Sequence, residues 1–379
     1  MIEFKVINPP ASPSAVCWPT KAQAPVTGLP GLDQPFVIGS VETPQGKVPQ
    51  VSSDWTSADY LGTFKARWGI GRMHYTVDPG LYALGRPDEK SPVLVTANYK
   101  MSFDRLRKAL PGRNAWILAL DTKGINVWCA AGKGTFGTDE LVARITSNGL
   151  ERIVSHREVV LPQLSAPGVA AHQVRKLSGF KAIFGPIQAE DLPAFMDNGM
   201  KATAEMRSKS FTTWERFVLI PVELVEALKA ALMIAPVLLI LSGLLGPAGF
   251  WPNVLNQGLF AVQALLTAIL AGAVLTPLLL PWLPGRAFSL KSLTPGLVCA
   301  LWLLFLRSGD GGKTGGLLEM IGWGLVILSV SAYLGMNFTG ASTYTSLSGV
   351  KKEMRWSLPL QIGSGVVGLV LWVCSMVLA

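Results

Sequence analysis

Cysteine, histidine and charge are all scarce. The 379 residues hold four cysteines and three histidines, and only 15% are Asp, Glu, Lys or Arg. Cys17, Cys129, Cys299 and Cys374 are too few and too scattered for a disulfide framework. None pairs as Cys-x-x-Cys, so no iron–sulfur cluster or structural zinc has a familiar ligand set, and electrons for any redox step have to come from a partner. His74, His156 and His172 form no ligand-spaced pair. No signal peptide precedes the first polar segment, which together with the few cysteines points to a reducing, cytoplasmic location for it. Despite a net charge of +9 there is no Lys/Arg-rich run or basic stripe, which argues against a nucleic-acid partner.

The scarcity of charge is uneven. Residues 1–216 carry 25 Lys/Arg and 19 Asp/Glu, whereas residues 217–379 carry 8 and 5. The first part has the composition of a soluble domain and the second that of a membrane domain. A helix needs about 20 apolar residues to cross a bilayer. Five uncharged or nearly uncharged runs qualify: 230–246, 253–283, 292–306, 314–338 and 357–379. Glu223, Glu226 and Lys229 after Pro221 suggest an interfacial lead-in to the first. Arg286 and Lys291 follow the second run and Lys351, Lys352 and Arg355 follow the fourth. The positive-inside rule therefore places these loops and the N-terminal domain in the cytoplasm and the C-terminus outside, as a multi-pass protein of the cytoplasmic membrane. Glu319 is the one acid inside a run and reads as a snorkelling or interface residue. No span carries a series of ionisable residues, so an anchor fits better than a transporter. Cys299 and Cys374 read as core residues of the spans.

The expected organisation is a Pro-rich arm and hairpin (1–60), an α/β domain (61–205), a juxtamembrane amphipathic linker (206–229) and a five-helix transmembrane domain (230–379). The arm holds Cys17 in Val-Cys-Trp-Pro, read as incidental or as a soft-metal ligand, and a hairpin is expected around Glu42–Val48. From about residue 90 the pattern predicts strands at Pro92–Ala97, Ala115–Leu120, Arg152–Ser155, Val159–Leu161 and Ala182–Phe184, with helices at Asp104–Leu110 and Glu140–Ile145. Such alternation implies a mostly parallel sheet with ligands beyond the carboxyl ends of its strands.

Known motifs are mostly absent. Gly132-Lys133-Gly134 and Gly312-Lys313-Thr314 lack the leading glycine of a phosphate loop, no G-x-G-x-x-G follows a strand, and no H-E-x-x-H occurs. After the second strand come Asp121-Thr-Lys-Gly-Ile-Asn126-Val127-Trp128-Cys129-Ala130-Ala131-Gly-Lys133-Gly134-Thr-Phe136. A lone cysteine at the mouth of a parallel sheet, beside Lys133 and the amides of a short helix, is placed for thiolate chemistry. A buried structural cysteine fits the same facts.

The string Asn126-Val-Trp-Cys-Ala-Ala-Gly-Lys133 resembles the cap-helix motif of the mercury-methylating corrinoid proteins, the HgcA family. The resemblance extends over Arg67-Trp-Gly-Ile-Gly-Arg-Met73, Pro79-Gly-Leu-Tyr82, Ser91–Lys100, Leu161-Pro-Gln-Leu-Ser-Ala-Pro-Gly168, Ser178-Gly-Phe180, Phe184-Gly-Pro186 and the five spans. The Leu161–Gly168, Ser178–Phe180 and Phe184–Pro186 stretches are also similar to the corrinoid subunit of the corrinoid iron–sulfur protein of the acetyl-CoA pathway. The resemblance implies an α/β Rossmann-like corrinoid-binding domain followed by an all-α transmembrane domain of five helices. It implies a base-off, cobalamin-type corrinoid, no iron–sulfur cluster in the chain itself, and Cys129 thiolate as lower axial ligand to cobalt.

Around Cys129 the resemblance implies a cofactor surface from Asn126, Val127, Trp128, Ala130 and Ala131 of the cap, the latter two small enough to let the helix approach the corrin, with Lys133, Gly134 and Phe136 beyond. Thr96, Asn98 and Asp121 line it at the strand ends. Leu161, Gln163 and Gly168 of one loop and Phe184, Gly185 and Pro186 of another hold the corrin edge and nucleotide tail, with His156 as a further tail contact or a satisfied polar core group.

The activity implied is a corrinoid-dependent methyltransferase that passes a methyl group to Hg(II), forming methylmercury. Its electron donor would be HgcB, a ferredoxin-like 4Fe-4S protein, and its methyl source a methyl-tetrahydrofolate-dependent pathway. A soft thiolate donor suits delivery of methyl as a carbanion or radical equivalent. Three alternatives stay open: a membrane-anchored corrinoid methyl carrier for another soft metal, metalloid or thiol; a Cys-His acyl-transfer enzyme using Cys129 with His156 or His172; and a membrane scaffold.

Overall fold

The two most apolar strands form the centre of the first structural unit. β4 (Val93–Ala97) and β5 (Ala115–Leu120) are buried at every position, the mark of parallel strands covered on both faces. They pair in parallel from Val93 with Trp116 to Ala97 with Leu120. The computed structural model describes residues 28–309, 316–341 and 347–378. Cys17 and most of the N-terminal arm lie outside them. Two units are present, one of residues 77–201 with the segment before Trp55, the other of 55–76 and 202–379. Residues 55–76, divided by the sequence between arm and α/β domain, thus belong to the helical unit.

In the first unit the strands are ordered β1-β2-β3-β5-β4-β6-β7. β1 (Val37–Thr43) and β2 (Gly46–Val51) form the expected antiparallel hairpin. β2 runs parallel to β3 (Gly80–Leu84), and β3 antiparallel to β5. On the other side of β4, β6 (Glu158–Leu161) and β7 (Lys181–Phe184) continue in parallel. The chain leaves β4 for β5 on one side and returns to β6 on the other, so the sheet reverses direction at β4. The carboxyl ends of β4 and β6 flank that switch point, where open α/β sheets bind ligands.

Helix α1 (Ser57–Arg67) lies in the helical unit; α2 (Lys100–Lys108) is the crossover from β4 to β5. The helix expected at Asp104–Leu110 begins four residues earlier, so Asp104 is not at its start. Asp104 is instead buried mid-helix, 2.6 Å from Lys100 Nζ and 2.8 Å from Arg107 Nε. The strand expected at Arg152–Ser155 is a 3₁₀ turn and a loop, in which the Ile153 and Val154 N–H groups both bond to the Leu150 carbonyl instead of a neighbouring strand. α3 (Val127–Lys133), α4 (Thr138–Ser147), α5 (Ala171–Ser178) and α6 (Leu192–Asp197) complete the unit.

Among the described residues of the helical unit, five helices are long and apolar enough to cross a membrane: α7 (Thr213–Leu245), α8 (Phe250–Leu279), α9 (Phe288–Gly309), α10 (Leu317–Asn337) and α11 (Leu347–Val377). Small residues set the closest approaches, as expected in apolar surroundings. A β-carbon on Gly322 would stand 2.7 Å from the Gly368 carbonyl oxygen, and one on Gly368 2.6 Å from that of Gly322. The lead-in expected ahead of the first span is helical and continuous with it: α7 starts at a Thr212–Glu215 capping box and runs through Pro221 into the apolar run. Glu319 does not snorkel. It is buried beside Arg307, 3.3 Å from Nη2, and the same guanidinium donates to Asn256 Oδ1 at 2.6 Å and covers the Phe260 ring. The arginine, distant in sequence, supplies the partner that a buried carboxylate needs.

Candidate functional site

The cysteine motif forms α3, directly after the β5 turn. Asn126 is its N-cap and accepts the Cys129 backbone N–H at 2.9 Å. Gly134, left-handed with φ 82°, ends it. The helix has two unlike faces. Val127, Ala130 and Ala131 are buried; Cys129, Gly132 and Lys133, at i, i+3 and i+4, lie on the open side. Cys129 is a half-buried free thiol, and a β-carbon on Gly132 would meet nothing within 4 Å. Ala130 and Ala131 therefore do not give clearance on the outer face as the resemblance implied. Their small size admits the loop behind: a β-carbon on Gly168 would stand 3.0 Å from Ala131 Cα. Gly132 is the clearance residue, and the sequence reading missed it although its position one turn from Cys129 was available.

The turn that delivers α3 is held by Asn98 at the end of β4. Its Oδ1 accepts the backbone N–H of Thr122 at 3.0 Å and of Gly124 at 3.3 Å, and lies 2.9 Å from the Thr122 hydroxyl. Asn98 is 6% exposed, so its amide oxygen is committed to the protein. Lys123, at φ 59°, and Gly124, at φ 72°, make the tight reversal between Thr122 and Ile125. Asp121 accepts the Lys123 backbone N–H at 3.1 Å and pairs with its ammonium. Burial opposes ionisation of Asp121, but Lys123 and then Arg144 outweigh it and hold the carboxyl below its ordinary range. The Asp121 backbone N–H donates to Glu140 Oε1 at 2.8 Å, and Glu140 is itself buried against Arg144 Nε at 2.7 Å. Thr122 and Glu140 are further positioning groups the sequence did not single out.

The remaining residues fall into two places. Thr96 is buried near the carboxyl end of β4, Leu161 ends β6, and Phe184 ends β7. Gly185 donates to the Leu161 carbonyl at 2.8 Å and Gln163 to that of Pro186 at 3.3 Å, which ties the two loops side by side. Gln163 Oε1 is buried with no partner among the described residues, the kind of orphaned acceptor that points to a ligand. Phe136 is fully buried behind α3, and Trp128 is half-buried beside Cys129. His156 is elsewhere, at the amino ends of the strands. Its Nδ1 accepts the Glu158 N–H at 3.3 Å, so Nε2 carries the proton and donates to the Ser91 carbonyl at 3.0 Å. Of the two readings of His156 these bonds match the satisfied polar group, not the tail contact: His156 ties together the amino ends of the strands.

Among the described residues no three His, Cys, Asp or Glu side chains are grouped to hold a metal ion. What the site presents is one thiol on the open face of a short, braced helix, at the switch point of the sheet.

Comparison with known proteins matches this unit. The family described as CO dehydrogenase/acetyl-CoA synthase delta subunit matches over residues 70–196. The acetyl-CoA decarbonylase/synthase complex subunit gamma of Methanopyrus kandleri is 32% identical over 123 residues, 32% of this chain and 26% of that protein. Subunit gamma 2 of Methanosarcina thermophila is 32% identical over 130 residues, 33% and 27% of the two chains. The subunit gamma of Methanocaldococcus jannaschii is 29% identical over 144 residues, 37% and 29%. The chain spans little more than a quarter of the length of these relatives, and the matched segment is the α/β unit that carries Cys129.

Proposed function

We propose that the α/β unit binds a corrinoid with the Cys129 thiolate as the protein's ligand to cobalt, and that the chain is a membrane-anchored methyltransferase whose acceptor is Hg(II). The observation that carries this reading is the position of Cys129, alone on the open face of α3, in a unit similar to subunits of acetyl-CoA decarbonylase/synthase complexes. The residues present fit the group. A flat macrocycle needs clearance beside the ligating thiol, which Gly132 leaves open, and the polar edge of the macrocycle needs partners, for which the orphaned Gln163 Oε1 is poised.

A bound corrinoid supplies a cobalt centre able to hold and give up a methyl group. The chain's residues do the rest. Asn126 fixes the Cys129 backbone, Asn98 and Glu140 hold the turn before it, and Gly168 braces the helix from behind. A thiolate donates more electron density than an imidazole and favours transfer of methyl toward an electrophile such as Hg(II). Since the sequence has no Cys-x-x-Cys pair, the electrons in this reading come from a ferredoxin-like 4Fe-4S partner of the HgcB kind and the methyl groups from a methyl-tetrahydrofolate-dependent donor. The basic loops support a cytoplasmic side for the α/β unit.

The similarity to decarbonylase/synthase subunits supports a second reading with the same site, a methyl carrier for another soft metal, metalloid or thiol. Methyl transfer measured with Hg(II) and with competing thiol and metalloid acceptors separates the two. The first reading expects methylmercury as the dominant product, lost in Cys129→Ala while the chain stays folded and membrane-inserted. Methylmercury formation at the wild-type rate by Cys129→Ala overturns the role of the thiol, and a preferred competing acceptor overturns Hg(II).

A further inference from the structure

Helix α1 and the 3₁₀ turn after it, Arg72–His74, have their apolar residues on the outside. Asp59 and Ala66 face inward and are buried. Leu61, Phe64 and Trp68 form one helical stripe and are 53%, 57% and 37% exposed; Ile70 and Met73 follow at 61% and 59%. Scattered apolar residues on a surface need no explanation, but a continuous aromatic and aliphatic strip does.

The packing of the helical unit indicates what covers this strip. Arg67 Nη1 donates to the Val218 carbonyl at 3.4 Å, and a β-carbon on Gly69 would stand 3.8 Å from Val225 and 3.7 Å from Glu226. The segment thus lies along α7 from Val218 to Glu226. This stretch of α7 is beside the other long helices rather than ahead of them. Arg216 donates to the Leu278 carbonyl at the end of α8 at 3.3 Å, and Phe211 and Leu219 pack with Leu280, Phe288 and Phe338, at the ends of α8, α9 and α10. Val225 is about 9 Å further into the bundle than Leu219 at the rise of an α-helix. Lys65 is exposed at the flank of the stripe, where its long stem can carry the ammonium to a headgroup. Trp214 and Phe217, on the first turns of α7, are likewise stacked and exposed.

We infer that residues 57–74 are an in-plane membrane element, in which Leu61, Phe64, Trp68, Ile70 and Met73 enter the lipid leaflet at this end of the bundle and Lys65 meets its phosphates. The inference rests on the reading that α7 to α11 cross a bilayer, and does not depend on the cofactor. It adds a second, lateral attachment, next to the first span, to the anchoring by the five helices.

The test uses the full chain, with its native cysteines replaced by alanine, in vesicles of phosphatidylethanolamine and phosphatidylglycerol. A nitroxide is attached at Phe64→Cys or Ile70→Cys, with Leu301→Cys on an exposed face of α9 and Lys90→Cys in the α/β unit for comparison. At positions 64 and 70 collisions with oxygen over a water-soluble nickel chelate should be several-fold more favoured than at 90 and close to those at 301. A water-like ratio at 64 and 70 with a lipid-like ratio at 301 overturns the inference. So does protection from both colliders at 64 and 70, which means that protein covers the strip. A water-like ratio at 301 overturns the spanning reading and this inference with it.

Discussion

Gly168 stands against Ala131 with no room for a side chain: a β-carbon there would lie 3.0 Å from Ala131 Cα and 2.2 Å from the Phe136 carbonyl oxygen. Both contacts are backbone, which cannot swing aside. Gly168→Ala should therefore push α3 outward, at a cost of about 1–3 kcal/mol as for other overpacked interiors. Thermal unfolding and cofactor retention measure it; an unchanged melting temperature with full retention would show that the loop is not the brace of the cysteine helix.

Asn98 is the second support, from the strand side. Asn98→Ala leaves the Thr122 and Gly124 N–H groups without their acceptor, a loss of about 1–3 kcal/mol. Amide hydrogen exchange should accelerate over residues 121–126 more than over β4 or β5, and Asn98→Asp, which keeps an acceptor, should recover part of the protection. Uniform acceleration would argue for a global rather than a local role.

Much of this architecture is legible in the sequence, and the failures have physical causes. β4 and β5 stand out because unbroken apolar runs have one stable use in a sheet. β3 does not, since its five residues, Gly80–Leu84, open on the turn signal Pro79-Gly80 and leave a run of only four side chains. Asp104 resembles the start of a helix until its partners Lys100 and Arg107 are seen, and Glu319 resembles an interface residue until Arg307 is found beside it. The site follows the same division. Cys129 and the loop ends were readable from their string, but which side of α3 faces outward is a packing outcome, so small alanines were credited with the clearance that Gly132 provides. His156 stays ambiguous in sequence because it is close to the Leu161–Gly168 loop, and only the course of β6 across the sheet between them decides for the satisfied polar group.

His156 offers a direct contrast with the residues around Cys129. Because both its ring nitrogens bond to backbone at the amino ends of the strands, His156→Ala should lower stability by about 1 kcal/mol and leave corrinoid retention at the wild-type level. A loss of bound corrinoid without a loss of stability would return His156 to the cofactor site.

Acid should loosen the turn before α3. The lowered native value of Asp121 means that its contribution is fully present above the ordinary aspartate value, about 3.9, and is lost as the pH falls through the native value. Carboxyl titration by NMR should give a midpoint below that of a free aspartate, and Asp121→Asn should abolish the acid-dependent part of hydrogen exchange over residues 122–126. A midpoint at or above the free value would contradict the arrangement with Lys123.

The account turns on one bond, between the Cys129 sulfur and cobalt. Its most direct test is cobalt content and the visible spectrum of the oxidised, anaerobically purified chain, with and without Cys129. The account predicts about one cobalt per chain and a spectrum distinct from aquocobalamin that changes in Cys129→Ala. Wild-type protein without cobalt, or a spectrum identical in the two proteins, would contradict it.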